Sequence, residues 1–235
     1  MTPLFAAESV GKAFRGVSVL TAASVRATAG AVTLLAGRNG CGKSTLLRIG
    51  AGVLAADHGV VRFAGEAWER PRLHRLARLG LFYLPDRGLL SRRLMLRQHL
   101  AALEWHFGTS AQREVLADLE IERLLDERPD TISGGERRRA EVALAALRAP
   151  RCLLADEPLM GIAPADAERI ARALRRLADG GCAVVVTGHE VPELLALADQ
   201  VVWMIGGTTH DLGTPGDAAA HEYFRRQYLG TPAVS

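Results

Sequence analysis

Between residues 4 and 35, short apolar segments are interrupted by Gly-Lys, Arg-Gly and Ala-Gly pairs, a pattern that predicts β-strands joined by turns. The last of these runs, Ala31 to Ala36, leads into Gly37 to Thr45, and Leu46 to Ala51 continues with helical spacing. Gly50, Gly52 and Gly59 punctuate the way to a short strand at Val60 to Phe63, and a further apolar run, Leu79 to Leu84, stops at Pro85. From Asp86 to about Arg128, Leu, Ala and Arg recur with the helix period, broken at Gly108 to Ser110, where Ser110 is suited to cap a helix. A helix is predicted from about Arg137 to Ala149, a buried-type strand at Cys152 to Ala155, an amphipathic helix at Pro164 to Ala178 and a fully apolar strand at Ala183 to Val186. The remainder reads as a helix over Val191 to Asp199, a strand over Val201 to Ile205, a Gly206-Gly207 turn, a short strand into Leu212 and one closing helix through about Tyr228. The pattern is that of an α/β chain carrying a helical insert.

Length and composition narrow this picture. At 235 residues the chain suits one large domain better than two. Its 49% hydrophobic and 23% charged residues are those of a soluble globular protein. No apolar run approaches the ~18 residues of a membrane span. Met1 to Ser9 has no basic segment followed by an apolar one, so no signal peptide is expected. A cytoplasmic location is the simplest expectation, with any spanning of a membrane left to another chain. The formal net charge is +3, and Lys12 and Lys43 are the only lysines. The arginine excess reads as compositional bias; Arg92, Arg93, Arg97 and Arg137 to Arg139 could favour acidic partners or anionic headgroups but are too dispersed for a nucleic-acid stripe. Cys41, Cys152 and Cys182 are odd in number and lack metal-type spacing, which suits a reducing compartment.

The candidate chemistry begins at Gly37-Arg38-Asn39-Gly40-Cys41-Gly42-Lys43-Ser44-Thr45. Three glycines let the backbone turn its N–H groups towards one anion, and the following helix adds the positive end of its dipole. Lys43 can reach the β- and γ-phosphates of a nucleotide, and Ser44 can place a hydroxyl on Mg²⁺. Cys41, inside the loop, is read first as a small filler, although a helix N-terminus can lower a thiol pKa. Ser133, Gly134, Gly135 and Glu136 stand at a second helix N-terminus, readable as a further anion site or as a plain capping box. The strand Cys152 to Ala155 delivers Asp156 and Glu157 at its end, where Asp156 can join a Mg²⁺ shell while Glu157 polarises an attacking water. His189 follows the strand Ala183 to Val186, at the ligand edge of such a sheet. Phe14 could stack on a purine or simply pack in a β-layer.

Taken in order, the loop at Gly37 to Thr45, Ser133-Gly134-Gly135-Glu136, the acid pair Asp156-Glu157 and His189 resemble the nucleotide-binding subunit of ATP-binding cassette (ABC) transporters, and the likeness covers nearly the whole chain. The resemblance implies a P-loop NTPase core with a mainly parallel sheet, an N-terminal antiparallel β subdomain and an inserted α-helical subdomain. It implies one cassette over residues 1–235, with a core of about 1–85 and 150–235 and an insert of about 86–149. ATP and Mg²⁺ are the implied ligands, with Ser44, Asp86 and Asp156 on the metal. A second cassette would be the partner, packed head to tail so that Ser133, Gly134 and Gly135 grip the ATP held by the other subunit. Glu157 would be the general base, His189 would contact the γ-phosphate and Phe14 would stack on adenine. Transmembrane subunits would carry the substrate, placing this chain peripherally on the cytoplasmic face of the membrane.

Two departures stand out. The family usually has a glutamine where this chain has Asp86, and many members carry an aspartate where it has Ala163 in Gly161-Ile162-Ala163-Pro164. With Tyr83-Leu84-Pro85 and Tyr228-Leu229-Gly230, these features look most like the subgroup serving branched-chain amino acid import and lipopolysaccharide export. The other readings are a soluble cassette ATPase uncoupled from a membrane, and a degenerate cassette that binds ATP only as a switch. No nucleic-acid partner is expected.

Overall fold

The computed structural model describes residues 2–107, 112–188 and 191–228. Its strands are β1 (Phe5–Phe14), β2 (Val17–Ala27), β3 (Val32–Gly37), β4 (His58–Phe63), β5 (Glu66–Trp68), β6 (Leu81–Leu84), β7 (Cys152–Ala155), β8 (Ala183–Gly188), β9 (Gln200–Ile205) and β10 (Thr208–Gly213). They form one sheet in the order β5-β4-β1-β2-β10-β9-β3-β8-β7-β6. Strands β1, β2, β4 and β5 pair antiparallel, whereas β9, β3, β8, β7 and β6 run parallel. β10 joins the two parts, antiparallel to β9 and parallel to β2.

The uninterrupted apolar runs of β3, β7 and β8 follow from burial on both faces. In β3, Val32, Leu34 and Ala36 enter one core and Leu35 the other; β7 divides Leu153 and Ala155 from Cys152 and Leu154 in the same way. One core packs against α1 (Lys43–Gly50) through Leu46, Leu47 and Ile49. The opposite core receives α5 (Gly134–Leu147), α6 (Pro164–Asp179) and α7 (Val191–Leu197), together with residues of α3 (Leu96–Phe107) and α4 (Gln112–Asp118). The predicted break at Gly108 to Ser110, with its cap, lies outside the described residues.

Three elements differ from the sequence expectation. Residues 86–95 form no helix, and Leu90 is buried from a loop. The six-residue α2 (Leu73–Arg78) buries only Leu76, too little for a periodic signal. The closing helix is two: α8 (Pro215–Ala220), capped by Thr214 and Asp217, ends where His221 turns extended, and α9 (Glu222–Tyr228) restarts to bury Phe224.

The topology places the chemistry on one edge. The parallel strands β6, β7, β8 and β3 all end on the same side, so Pro85-Asp86, Asp156-Glu157, Thr187 and the loop from Gly37 converge there. Ligands bind at this carboxyl edge in open α/β sheets.

Candidate functional site

The loop after β3 needs its glycines for stated reasons. Gly40 and Gly42 have φ of 81° and 111°, in the left-handed region that favours glycine. A Cβ on Gly42 would also come within 2.7 Å of Leu20 Cδ2. Gly42 is the N-cap of α1 and supplies no side-chain bond, and no acid stands in the first turn, so the leading amides of this helix are left for an anion.

Lys43 is 4% exposed. Its ammonium donates to Gly37 O at 2.8 Å and Arg38 O at 3.3 Å, and lies 3.4 Å from Glu157 Oε1. Ser44 Oγ donates to Asp156 Oδ1 at 2.9 Å, Thr187 Oγ1 donates to the same oxygen at 2.8 Å, and Tyr83 OH reaches Asp156 Oδ2 at 3.3 Å. Burial pushes the Asp156 carboxyl above its ordinary range, while the Thr187 and Ser44 hydroxyls pull it back down. Burial and then the Asp156 charge push Tyr83 up to about 12, so its hydroxyl keeps its proton. Thr187 Oγ1 also accepts the Glu157 amide at 2.9 Å, fixing a residue whose φ of 47° an L side chain rarely adopts.

Asp86 is half-buried beside this group. Its carboxylate lies 3.7 Å from Arg48 and 3.1 Å from Arg87. A cavity of about 290 Å³ is walled by Asn39, Gly40, Lys43, Ser44, Thr45, Asp86 and Glu157, with Gly42 and Val19 of β2 closing its side. Phe14, at the end of β1, is 43% exposed with Lys12 Nζ 5.6 Å from its ring centre, and it does not line that cavity. Cys41 is partly buried, and burial pushes its thiol up against the opposing pull of Lys43, contrary to the lowering a helix N-terminus suggests. His189 lies outside the described residues.

At α5 the capping box forms: the Glu136 amide donates to Ser133 Oγ at 3.2 Å, and Glu136 Oε2 accepts the Ser133 amide at 3.0 Å. The cap leaves Gly134 and Gly135 at the head of the helix without side chains of their own, so capping and anion binding are compatible. The three arginines after it do not form a continuous surface patch. Arg138 and Arg139 are 6% and 2% exposed and bonded inside the protein, so only Arg137 of the three reaches the surface. Thr187, Tyr83 and Arg138 were not singled out for the site, because each acts through contacts made only on folding.

The donor set fits a nucleotide with Mg²⁺: glycine amides and Lys43 for phosphates, and adjacent oxygens of Ser44 and Asp156 for a hard cation that keeps most of its shell for phosphate and water. Among the described residues no group of three or more His, Cys, Asp or Glu could hold a metal by itself. Fold and site together define a P-loop nucleotide-binding protein with two strand-end carboxylates beside the phosphate loop.

Comparison with known proteins narrows the class. The family model described as ABC transporter matches residues 20–160. The chain is 33% identical over 231 residues to the lipopolysaccharide export system ATP-binding protein LptB of Escherichia coli (strain K12), covering 95% of this chain and 96% of that protein. It is 34% identical to a probable ABC transporter ATP-binding protein of Azorhizobium caulinodans, covering 96% and 82%. A nucleotide-free ATP-binding cassette from an ABC transporter superposes with a TM-score of 0.81 at 23% identity, over 99% of this chain and 97% of that one. An ATP-binding cassette in its ADP conformation gives 0.83 at 22%, over 98% and 100%. The chain belongs to the ABC transporter family, as an ATP-binding subunit. Among the described residues no helix is long and apolar enough to cross a membrane.

Proposed function

We propose that this chain hydrolyses ATP to ADP and phosphate with Glu157 as general base, and that the work is delivered to separate transmembrane subunits. The observation that carries this reading is the meeting of Glu157 Oε1 and Lys43 Nζ at 3.4 Å beside the Ser44–Asp156 pair. Lys43 and the amides of Gly40, Gly42 and Lys43 bind and orient the phosphates. Ser44 and Asp156 would hold Mg²⁺, with Asp86 on the same rim; the ion supplies polarisation of the phosphoryl oxygens. Glu157 takes the proton from water, its backbone fixed by Thr187. His189 belongs at the γ-phosphate and Phe14 at the adenine.

The head of α5 supports a two-cassette arrangement, in which Ser133, Gly134 and Gly135 contact ATP held by a second copy or a related subunit. The insert of about residues 86–149, which opens with a loop and then carries helices, receives the transmembrane partner, and insert and core together make one cassette on the cytoplasmic face of a membrane.

Glu157→Gln tests the reading: ATP binding is retained, turnover falls by about 10²-fold or more, and a nucleotide-dependent dimer accumulates. A variant that hydrolyses ATP at the parent rate removes Glu157 as the base.

A further inference from the structure

One buried side chain joins segments that the reaction leaves separate. Arg138 lies in the second turn of α5, with 6% of its surface exposed. Its guanidinium makes four bonds: Nη1 to Pro85 O at 2.6 Å and to Glu141 Oε2 at 2.9 Å, Nη2 to Asp156 O at 2.7 Å, and Nε to Pro158 O at 3.2 Å. Two of the acceptors, Asp156 and Pro158, flank Glu157, and the third, Pro85, precedes Asp86.

The residue between the two flanking carbonyls is the one held at φ 47°. A left-handed residue with a side chain persists where its surroundings hold it. Thr187 holds Glu157 by its amide, and Arg138 holds the carbonyls of the residues before and after it, Asp156 and Pro158. The planar fork of arginine carries its donors on three separated nitrogens and so reaches carbonyls on two different loops, which the compact ammonium of lysine, with all its donors on one nitrogen, does not span in the same way. Glu141, 3% exposed and one turn further along α5, fixes the fork from behind. The start of α5 is fixed in turn by its capping box at Ser133 and Glu136.

We propose that Arg138 is a positioning residue for hydrolysis, making the placement of Glu157 depend on the position of the helix that begins at Ser133-Gly134-Gly135. The proposal rests on the reading of Glu157 as the base. When α5 shifts relative to the sheet, the carbonyls on both sides of Glu157 and the one before Asp86 move or lose a donor together. Arg138 does not line the cavity at the phosphate loop; it acts through the backbone that carries the base.

The test uses the full chain with Arg138→Lys, and Glu141→Gln as the milder variant should the first fail to fold. Expected are a fall in kcat of about tenfold or more with KM for ATP within about threefold, the split produced by a group that acts only on the transition state. Faster amide exchange at residues 157–160 without nucleotide is expected alongside it. Glu141→Gln, which keeps an acceptor but not the charge, gives the same split at smaller size. In a Glu157→Gln background, Arg138→Lys costs little further turnover, because the two act as one unit. A parent kcat with parent exchange in a folded Arg138→Lys protein overturns the proposal, and so does an equal loss in kcat and ATP affinity. Should Glu157→Gln itself turn over at the parent rate, the reading of the base fails, whereas the exchange result at 157–160 still decides whether Arg138 restrains that segment.

Discussion

Thr187 offers a sharp test of how the site is held together. Its hydroxyl donates to Asp156 Oδ1 at 2.8 Å and accepts the Glu157 amide at 2.9 Å, and the side chain is fully buried. Thr187→Val keeps the shape and removes only the hydroxyl. A buried N–H deprived of its acceptor costs about 1–3 kcal/mol, and a hydrogen bond to a charged group contributes about 1.5–3 kcal/mol. Asp156 keeps Ser44 and Tyr83, and the two losses share one atom, so the expected destabilisation is about 2–4 kcal/mol rather than their sum. That is a large part of the ~5–15 kcal/mol that stabilises a typical domain. Urea titration without nucleotide measures it as a shift in midpoint at unchanged slope. Thr187→Ser keeps the hydroxyl, loses one methyl group and should cost about 1 kcal/mol. A valine variant within ~0.5 kcal/mol of the parent, or more stable than the serine variant, refutes the reasoning, since surface-like effects of that size need no buried bond.

Asp86→Ala should raise the Mg²⁺ concentration for half-maximal turnover several-fold if Asp86 joins the metal shell; an unchanged requirement removes it from that shell. Cys41 should be alkylated ahead of Cys152 and Cys182, whose thiols burial protects, but slowly at neutral pH because burial raises its own pKa. ATP should slow that labelling, and equal rates with and without ATP would reject Cys41 as a neighbour of bound phosphate. The Ser133 amide and then its hydroxyl hold the Glu136 carboxyl below its ordinary 4.5. A depressed folded pKa stabilises above the unfolded value and loses that contribution as pH falls through the folded one. The stability gap between parent and Glu136→Gln should therefore narrow on acidification below pH ~4.5, and a gap independent of pH would show that the cap does not depend on the charge.

How much the sequence revealed depended on where each residue's role is decided. β3, β7 and β8 were legible because burial on both faces leaves runs such as Val-Thr-Leu-Leu-Ala and Cys-Leu-Leu-Ala with few other readings. The place of β10 was not, because its partners β9 and β2 are set by a register that joins residues as distant as Thr208 and Ala22. α2 escaped because one buried leucine in six residues has no period. In the site, the phosphate loop and the acid pair announced themselves by local chemistry. Thr187 and Tyr83 looked like strand residues, and Arg138 looked like part of a charged run. Composition cannot tell a buried arginine with four acceptors from an exposed one; only the neighbouring carbonyls do that.

Asp86 shows how one substitution is accommodated by its surroundings. Burial pushes the Asp156 carboxyl upward, and the Asp86 and Glu157 charges beside it push the same way. Arg48, from the helix that begins at the phosphate loop, lies 3.7 Å from Asp86, and Tyr83 reaches Asp156 with its hydroxyl on the same side. Arg87 approaches from the other side at 3.1 Å. Both arginines are substantially exposed, so each pair adds little stability by itself. Their effect is to offset a negative charge at the position where the family resemblance leads one to expect a neutral glutamine. The loop after β6 is thus held twice: Arg138 of α5 grips it at Pro85, and Arg48 of α1 meets it at Asp86. Removing Arg48 would leave Asp86 facing two acids, with Arg87 as the cation still at its carboxylate. Removing Arg138 would free Pro85 while leaving those charges in place. The position of this loop and the charge it presents beside Ser44 and Asp156 are therefore set from different helices, one carrying the phosphate loop and the other beginning at Ser133-Gly134-Gly135.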